Sequence, residues 1–368
     1  NAVPTAALPQ GTNGVKAFIP VARIADMLHH PGQSFDYNGQ RLSYPAIKLA
    51  YWAGGNPFHH HQDLPRLADG FRKLDTFVVH ESAWTATARH ADIVLPSTMT
   101  LEREDIGVTP TDPLMVAMHR IAEPQGLARD DYDIFTSLAE RLGAREAFTE
   151  ERDVRQWLAH LYERTRAALE AKGLDAPGFE AFWARGELEL PQAPDDGGIV
   201  RAFREDPAGK PLPTPSGKVQ ISSPAVAAFG YADCPGHPAW LPPTEPPSPE
   251  HPLWLIANQP ATRLHSQLDF GACSQAAKHA GREVCTLHPD AAQARGIAEG
   301  DLVHLFNQRG SCLAAAHLSD GMRPDVVQLP TGAWYDPVAD EDGRLTCVHG
   351  NPNVLTRDVG TSSLAQGC

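Results

Sequence analysis

Two apolar runs of strand length bracket a glycine break and a helical segment. IKLAYWA starts at Ile47, Gly54-Gly55 ends it, DLPRLADGFRKL follows with Leu64, Leu67, Phe71 and Leu74 at three- and four-residue steps, and TFVVHE starts at Thr76. A run apolar throughout is buried on both faces, and strands joined through a helix lie parallel, because such a crossover is far longer than a hairpin turn. A polar segment, SAWTATARHA, and a third apolar run, DIVLP, repeat the arrangement. Residues 47 to 95 are therefore expected to form three parallel strands of an α/β fold, bringing Asn56, Glu81 and Pro96 to the carboxyl edge where ligands of such sheets sit.

The rest of the 368 residues predicts a second domain. Residues 1 to 45, cut by Pro4, Pro9, Gly11, Gly14, Pro20, Pro31 and Gly32, read as an irregular lead-in with one short helix near residues 21 to 28. DYDIFTSLAERLG and EERDVRQWLAHLYERTRAALEAKG have helical spacing, and the second turns Trp157, Leu158, Leu161 and Leu169 toward a core. Pro and Gly dominate residues 186 to 250, ending in the linker-like WLPPTEPPSPEHP. Beyond it PLWLIANQP, EVCTLHP, LVHLFNQRG, CLAAAHLS, DVVQLP and NVLT predict short strands of a small closed barrel, with a single helix at PDAAQARG.

Charge and cysteine spacing exclude several function classes. With 31 Lys+Arg against 45 Asp+Glu the chain carries −14, a surface that repels phosphate backbones, so no nucleic-acid partner is expected. No run approaches the ~18 apolar residues of a membrane span, and a soluble chain without a membrane partner is expected. The start at Asn1-Ala2 reads as a processed end or as part of a longer protein. Six scattered cysteines without a CxxC pair exclude zinc ribbons and close-pair iron–sulfur clusters, and they fit free thiols in a reducing compartment.

Polar residues gather where the apolar runs end. Gly54, Gly55 and Asn56 form a turn through which backbone N–H groups can approach a phosphate, or a plain strand-to-helix turn. His59-His60-His61 points consecutive rings apart, so one of them donating to a phosphate or a polar ring suits the triple better than a shared metal. His80-Glu81 is not a zinc-protease HExxH motif, since Trp84 stands at the fifth position. His80, Glu81, Ser82, Thr85, Thr87, Ser97 and Thr98 suit a bound nucleotide, with Arg103 near enough to pair with a diphosphate or stack on a base. Asp133 reads as a helix N-cap or as an acceptor for the N1–H and N2–H edge of guanine. Asn258, Gln259, Arg263, His265, Ser266 and Gln267 follow a strand, and Asn351, Asn353, Thr361, Ser362, Ser363 and Gln366 close the chain; these groups bind an extended polar ligand rather than perform acid–base chemistry. Ser266 beside His265 lacks a GxSxG elbow.

At GGNPFHHHQDL, VVHESAWTATARHADIVLP, LERED, TPSGKVQISS, ANQPATRLHSQL, GAWYDP and HGNPNVLTRDVGTSSLAQG the chain resembles the molybdopterin oxidoreductases of the dimethyl sulfoxide reductase family, most of all the biotin sulfoxide, trimethylamine N-oxide and dimethyl sulfoxide reductases. The resemblance covers almost the whole chain in family order and implies the C-terminal half of an enzyme about twice as long. It implies a Rossmann-like domain over residues 1–190, a connecting segment over 191–250 and a double-psi barrel over 251–368. It implies a bis(molybdopterin guanine dinucleotide)molybdenum cofactor, contacted by Asn56, His60, His80, Glu81, Arg103, Asp133, Asn258, Gln259, Arg263, His265, Ser266, Asn351, Asn353 and Gln366. Gln259 stands where the family often has His. No catalytic residue and no metal ligand falls in this chain by that resemblance, because the metal-binding serine belongs to the other half, which is then the expected partner, with an electron donor the sequence does not specify. The implied reaction is reduction of a small S-oxide or N-oxide by oxygen-atom transfer, in the cytoplasm, or in the periplasm if a twin-arginine signal precedes the chain. A stand-alone nucleotide-binding module without catalysis is the alternative class.

Overall fold

In the computed structural model, which describes residues 5–15, 18–109, 112–192 and 198–366, a short helix α1 (Ile24–His29) precedes an antiparallel hairpin of β1 (Ser34–Tyr37) and β2 (Gln40–Ser43). The hairpin corrects the irregular lead-in. Its turn is Asn38 (φ 48°) and Gly39 (φ 75°), the two left-handed residues of a tight turn that twists with the strands.

The expected strand–helix–strand unit follows. β3 (Leu49–Ala53) and β4 (Thr76–Glu81) are parallel, in register from Leu49↔Thr76 to Ala53↔His80. Between them lie the one-turn helix α2 (Pro57–His60) and α3 (Leu64–Phe71), whose N-cap Asp63 accepts from the Arg66 N–H at 3.2 Å. The polar segment after β4 holds α4 (Ala86–Arg89), capped by Thr85, and β5 (Ile93–Pro96) completes the strand order β3-β4-β5.

Residues 105 to 189 depart from an all-parallel reading. β6 (Asp105–Val108), β7 (Leu114–Met118) and β8 (Glu187–Glu189) form an antiparallel sheet, because the β6–β7 connection is too short for a crossover. Helices α5 (Asp131–Arg141), α6 (Arg145–Thr149), α7 (Val154–Glu170) and α8 (Phe179–Arg185) lie between β7 and β8. The core of this part stacks Tyr162 on Phe182 (4.4 Å, 10°) among Met115, Leu158, Leu169 and Trp183; Tyr162, rather than Leu161, is the fully buried residue of that turn. In the Pro- and Gly-rich stretch two short helices form, α9 (Gly198–Glu205) and α10 (Pro224–Ala228).

The C-terminal stretch makes a seven-stranded mixed sheet: β9 (Trp254–Ile256), β10 (Val284–Leu287), β11 (Leu302–Phe306), β12 (Ser311–Leu318), β13 (Val326–Gln328), β14 (Pro337–Ala339) and β15 (Leu345–Cys347), ordered β14-β15-β12-β10-β13-β9 with β11 on β12. β10 and β15 run parallel to β12, and β9 parallel to β13. Two helices, not one, occur here: α11 (Ala272–Ala276) and α12 (Pro289–Gln293). NVLT is not a strand, because Asn351 Oδ1 takes the Asn353 N–H (2.9 Å) and Pro352 fixes φ, winding residues 352 to 354 into a 3₁₀ turn.

Packing divides the chain into two compact units, Asn1–Lys16 with Leu95–Gln220, and Ala17–Val94 with Ile221–Cys368. The second has one core built from both of its segments: Phe58, Leu64, Leu67, Phe77 and Val79 from the first, Cys285, Leu287, Cys312, Ala314, Leu329 and Val354 from the other. Among the described residues no helix is long and apolar enough to cross a membrane, and the five described cysteines are free.

Candidate functional site

The parallel register of β3 and β4 sends Gly54 and Glu81 out at the same edge. Gly54 (φ 85°) and Gly55 (φ 81°) both take the left-handed conformation, and a Cβ at Gly54 would meet nothing within 4 Å, so the backbone here is open to a ligand. The turn delivers Asn56 and His59 into the protein, 8% and 1% exposed. Asn56 Oδ1 accepts from Thr87 Oγ1, while its Nδ2 has no hydrogen-bond partner among the described residues. His59 Nε2 accepts from the Ala86 N–H (3.3 Å), and its Nδ1 has none among them. Burial drives the His59 pKa down to about 3, against a smaller upward pull from Asp269, so the ring is neutral. His60 reaches solvent; partial desolvation, then His61 and His265, lower its pKa. His61 is buried beside Asp358 (3.4 Å), which also pairs with Arg66. Among the described residues no group of three or more His, Cys, Asp or Glu side chains could hold a metal ion, the histidine triple included.

The ring of His59 lies against Trp334 (5.2 Å between centroids, 23°), and Trp334 is held in turn. Its indole N–H donates to the Ser266 carbonyl (3.0 Å) and its backbone N–H to Asp269 (3.2 Å). Asp269 belongs to a buried ionic quartet with Arg263, Lys278 and Glu283, all with side chains 3% to 7% exposed. Burial pushes the Asp269 carboxyl up, but Lys278 and Arg263 outweigh it and hold it below the usual carboxylate range. Burial raises the pKa of Glu283. The backbone of the 331–335 loop approaches His265 so closely that a Cβ at Gly332 would collide with the His265 carbonyl.

The structure gathers most of the expected residues around this point and separates them by what they do. Arg263 spends its guanidinium on Ser274, Thr331 and His265 oxygens and on Glu283, which makes it a brace. Asn351 is likewise satisfied, donating to the Ala333 carbonyl (2.8 Å). Asn353 donates to the His59 carbonyl (3.4 Å). Asn258 keeps a buried Oδ1 without a hydrogen-bond partner among the described residues, and Gln259 and His265 are exposed. His80 hydrogen-bonds Tyr51 (2.6 Å), and Glu81 accepts from the Ser82 N–H and from Thr85 Oγ1. Gln366 lines a polar cavity of about 350 Å³ with Arg23, Tyr44, Gly360 and Ser362. Arg103 and Asp133 belong to the other unit. Arg103 reaches Thr98 and Asp105 (both 3.4 Å). Asp133 is not an N-cap: that position is Asp130, and Asp133 lies exposed in the first turn of α5. The sequence leaves open which of His59, His60 and His61 donates and assigns no role to Lys278, Glu283 or Trp334; the three-residue step from Asn56 to His59 on one helical turn is the signal that singles out His59.

Residues 253–368 match the molydopterin dinucleotide binding domain and residues 1–141 match molybdopterin oxidoreductase. The chain is 46% identical to the biotin sulfoxide reductase of Cereibacter sphaeroides, over 98% of this chain and 48% of the relative. It is 46% identical to the dimethyl sulfoxide/trimethylamine N-oxide reductase of Rhodobacter capsulatus (95% and 43%) and 41% identical to trimethylamine-N-oxide reductase 1 of Escherichia coli K12 (96% and 43%). The fold is similar to that of the acetylene hydratase of Pelobacter acetylenicus, with TM-score 0.58 and 22% identity over 84% of this chain and 41% of that one. The chain thus spans about half the length of the curated relatives it matches. Both matched domains indicate a molybdopterin guanine dinucleotide molybdenum cofactor. With its two matched domains and its 41–46% identity to these reductases over nearly all of its length, the chain is similar to the C-terminal part of the molybdopterin oxidoreductases.

Proposed function

We propose that this chain is the C-terminal, cofactor-binding part of a molybdenum oxidoreductase that reduces S-oxides or N-oxides, biotin sulfoxide first among them. The observation that carries the reading is that Asn56 Nδ2 and His59 Nδ1, which follow an open glycine turn, and Asn258 Oδ1 are buried without a hydrogen-bond partner among the described residues. An unpaired buried polar group costs about 1–3 kcal/mol, which a ligand supplying the missing partner recovers. The residues therefore fit a polar dinucleotide; the parallel β3–β4 pair supports a Rossmann-like description of the part of 1–190 around residues 49–81, and the mixed C-terminal sheet supports a double-psi barrel over 251–368, with 191–250 connecting.

In this reading Asn56, His60, Asn258, Gln259, His265, Ser266 and Gln366 touch the cofactor, with His80 and Glu81 at the sheet edge, and Arg103 and Asp133 are further contact residues that the family resemblance implies. Arg263, Asn351 and Asn353 hold the loops that carry those contacts. The bound cofactor supplies two-electron oxygen-atom transfer. The chain's residues bind it, orient it and exclude water. The metal ligand and substrate pocket are assigned to the N-terminal part of the same polypeptide, and the proposed compartment is the cytoplasm, which five free thiols suit.

The test is a chimera in which this chain replaces the aligned segment of the Cereibacter sphaeroides biotin sulfoxide reductase. The expected product contains stoichiometric molybdenum and guanine nucleotide and reduces biotin sulfoxide, while the isolated chain reduces none. A folded chimera that loads neither molybdenum nor nucleotide refutes the proposal.

A further inference from the structure

We propose that His59 is a fixed neutral hydrogen-bond donor that, together with the Asn56 amide, presents its Nδ1–H to a diphosphate oxygen of a nucleotide held at the Gly54-Gly55 turn. This deepens the dinucleotide reading and rests on it, but it moves a role to a residue that the motif-based assignment, which selected His60, leaves out.

The tautomer follows from the neighbours. The Ala86 backbone N–H can only donate, so His59 Nε2 is an acceptor, and the proton of the neutral ring sits on Nδ1. That N–H is buried and meets no acceptor of the described residues. The Asn56 amide is in the same state: Thr87 donates to its oxygen, which leaves Nδ2 pointing away from that bond with two hydrogens and no partner. Two donors three residues apart on one short turn, both buried and both unspent, match a ligand atom rich in lone pairs. A phosphate oxygen is such an atom, and the open left-handed glycines let it come close.

The ring keeps the orientation that the Ala86 N–H selects, within a braced surrounding. Trp334 covers its face and is fixed at both its N–H groups, and Asn353 holds the His59 carbonyl. Burial keeps the imidazole uncharged at neutral pH, so it donates without bringing a buried cation that would need its own counter-charge. His60 differs in being exposed at the surface.

Asparagine and glutamine separate the two ring nitrogens. His59→Asn places an amide N–H near the Nδ1 position, whereas His59→Gln puts its carbonyl near Nε2, keeping the Ala86 bond and losing the donor. Guanosine diphosphate is titrated into this chain by calorimetry, with melting curves as the folding control. The expected result is binding to wild type, a loss of about tenfold to a hundredfold in His59→Gln, and affinity within about threefold of wild type in His59→Asn. Selective ¹⁵N-histidine NMR on the wild type reads the tautomer directly, and the Nδ1–H signal should move on adding guanosine diphosphate. Undiminished binding by folded His59→Gln, or an Nε2–H tautomer, overturns the role of His59 and leaves the dinucleotide reading standing. Wild type that binds no guanosine diphosphate overturns that reading, and the inference with it.

Discussion

Asp269→Asn removes one charge from the buried quartet while keeping the side-chain volume. In the wild type two cations, Arg263 and Lys278, face two carboxylates, Asp269 and Glu283, with Lys278 Nζ 2.7 Å from Asp269 and Arg263 2.9 Å from Glu283. The substitution leaves a buried cation without its counter-charge, a change that costs about 3–5 kcal/mol. For a unit of this size that lowers the melting temperature by roughly 6–20 °C. Lys278→Met should cost a similar amount, and the double variant should be less damaged than the two losses added together by about 1–3 kcal/mol. Acid adds a second signature. The folded pKa of Asp269 lies below its unfolded value of about 3.9, so the unfolded chain takes up the proton first; the stabilisation is complete above about pH 4 and is lost as pH falls through the folded value. Asp269→Asn should lack that loss. Calorimetric melts and the fluorescence of Trp334, which Asp269 holds, are the assays. A variant melting within about 2 °C of wild type would falsify the claim that the quartet braces this loop.

His59, with a folded pKa of about 3 against 6.5 unfolded, should cost stability as pH falls below 6.5, at up to about 1.4 kcal/mol per pH unit and about 4 kcal/mol by pH 3; acid melts of His59→Gln should be shallower by that amount. Iodoacetamide at neutral pH should label exposed Cys273 in the native protein and spare buried Cys285, Cys312 and Cys347, whose thiols burial pushes up, Cys285 to about 12; rapid labelling of the latter three would contradict the packing. Asp133→Asn in the chimera should reduce guanine nucleotide retention by about ten- to a hundredfold with little change in melting, since Asp130 and not Asp133 holds the N-cap position; equal retention would remove Asp133 from the guanine contacts.

Local pattern read β4, which is buried on both faces, and the amphipathic α3, while β3, expected to be equally buried, is exposed at both ends. β4 falls on TFVVHE residue for residue, and α3 starts at its Asp63 cap. The β1–β2 hairpin was visible in Asn38-Gly39 but was masked by the surrounding prolines and glycines, which suggested irregular chain. β14 and β15 are three residues each, too short for any period to register. At the site, residue type and position pointed to Asn56 and Asn258, but not to the division between braces and free donors. That division is a property of partners: Arg263 is spent on Thr331, 68 residues away, and His59 on Ala86. A linear pattern carries no information on which atom of a side chain is already engaged.

The shared core of Ala17–Val94 and Ile221–Cys368 sets a timetable for synthesis. Phe58, Leu64, Leu67, Phe77 and Val79 leave the ribosome early, yet their packing partners, from Cys285 to Val354, are translated only after the whole intervening unit. At ~5–20 residues per second the wait is roughly 10–50 s. Throughout that interval an apolar face and two strands stand without their final cover, so the first segment reaches its native packing only when the second has been made.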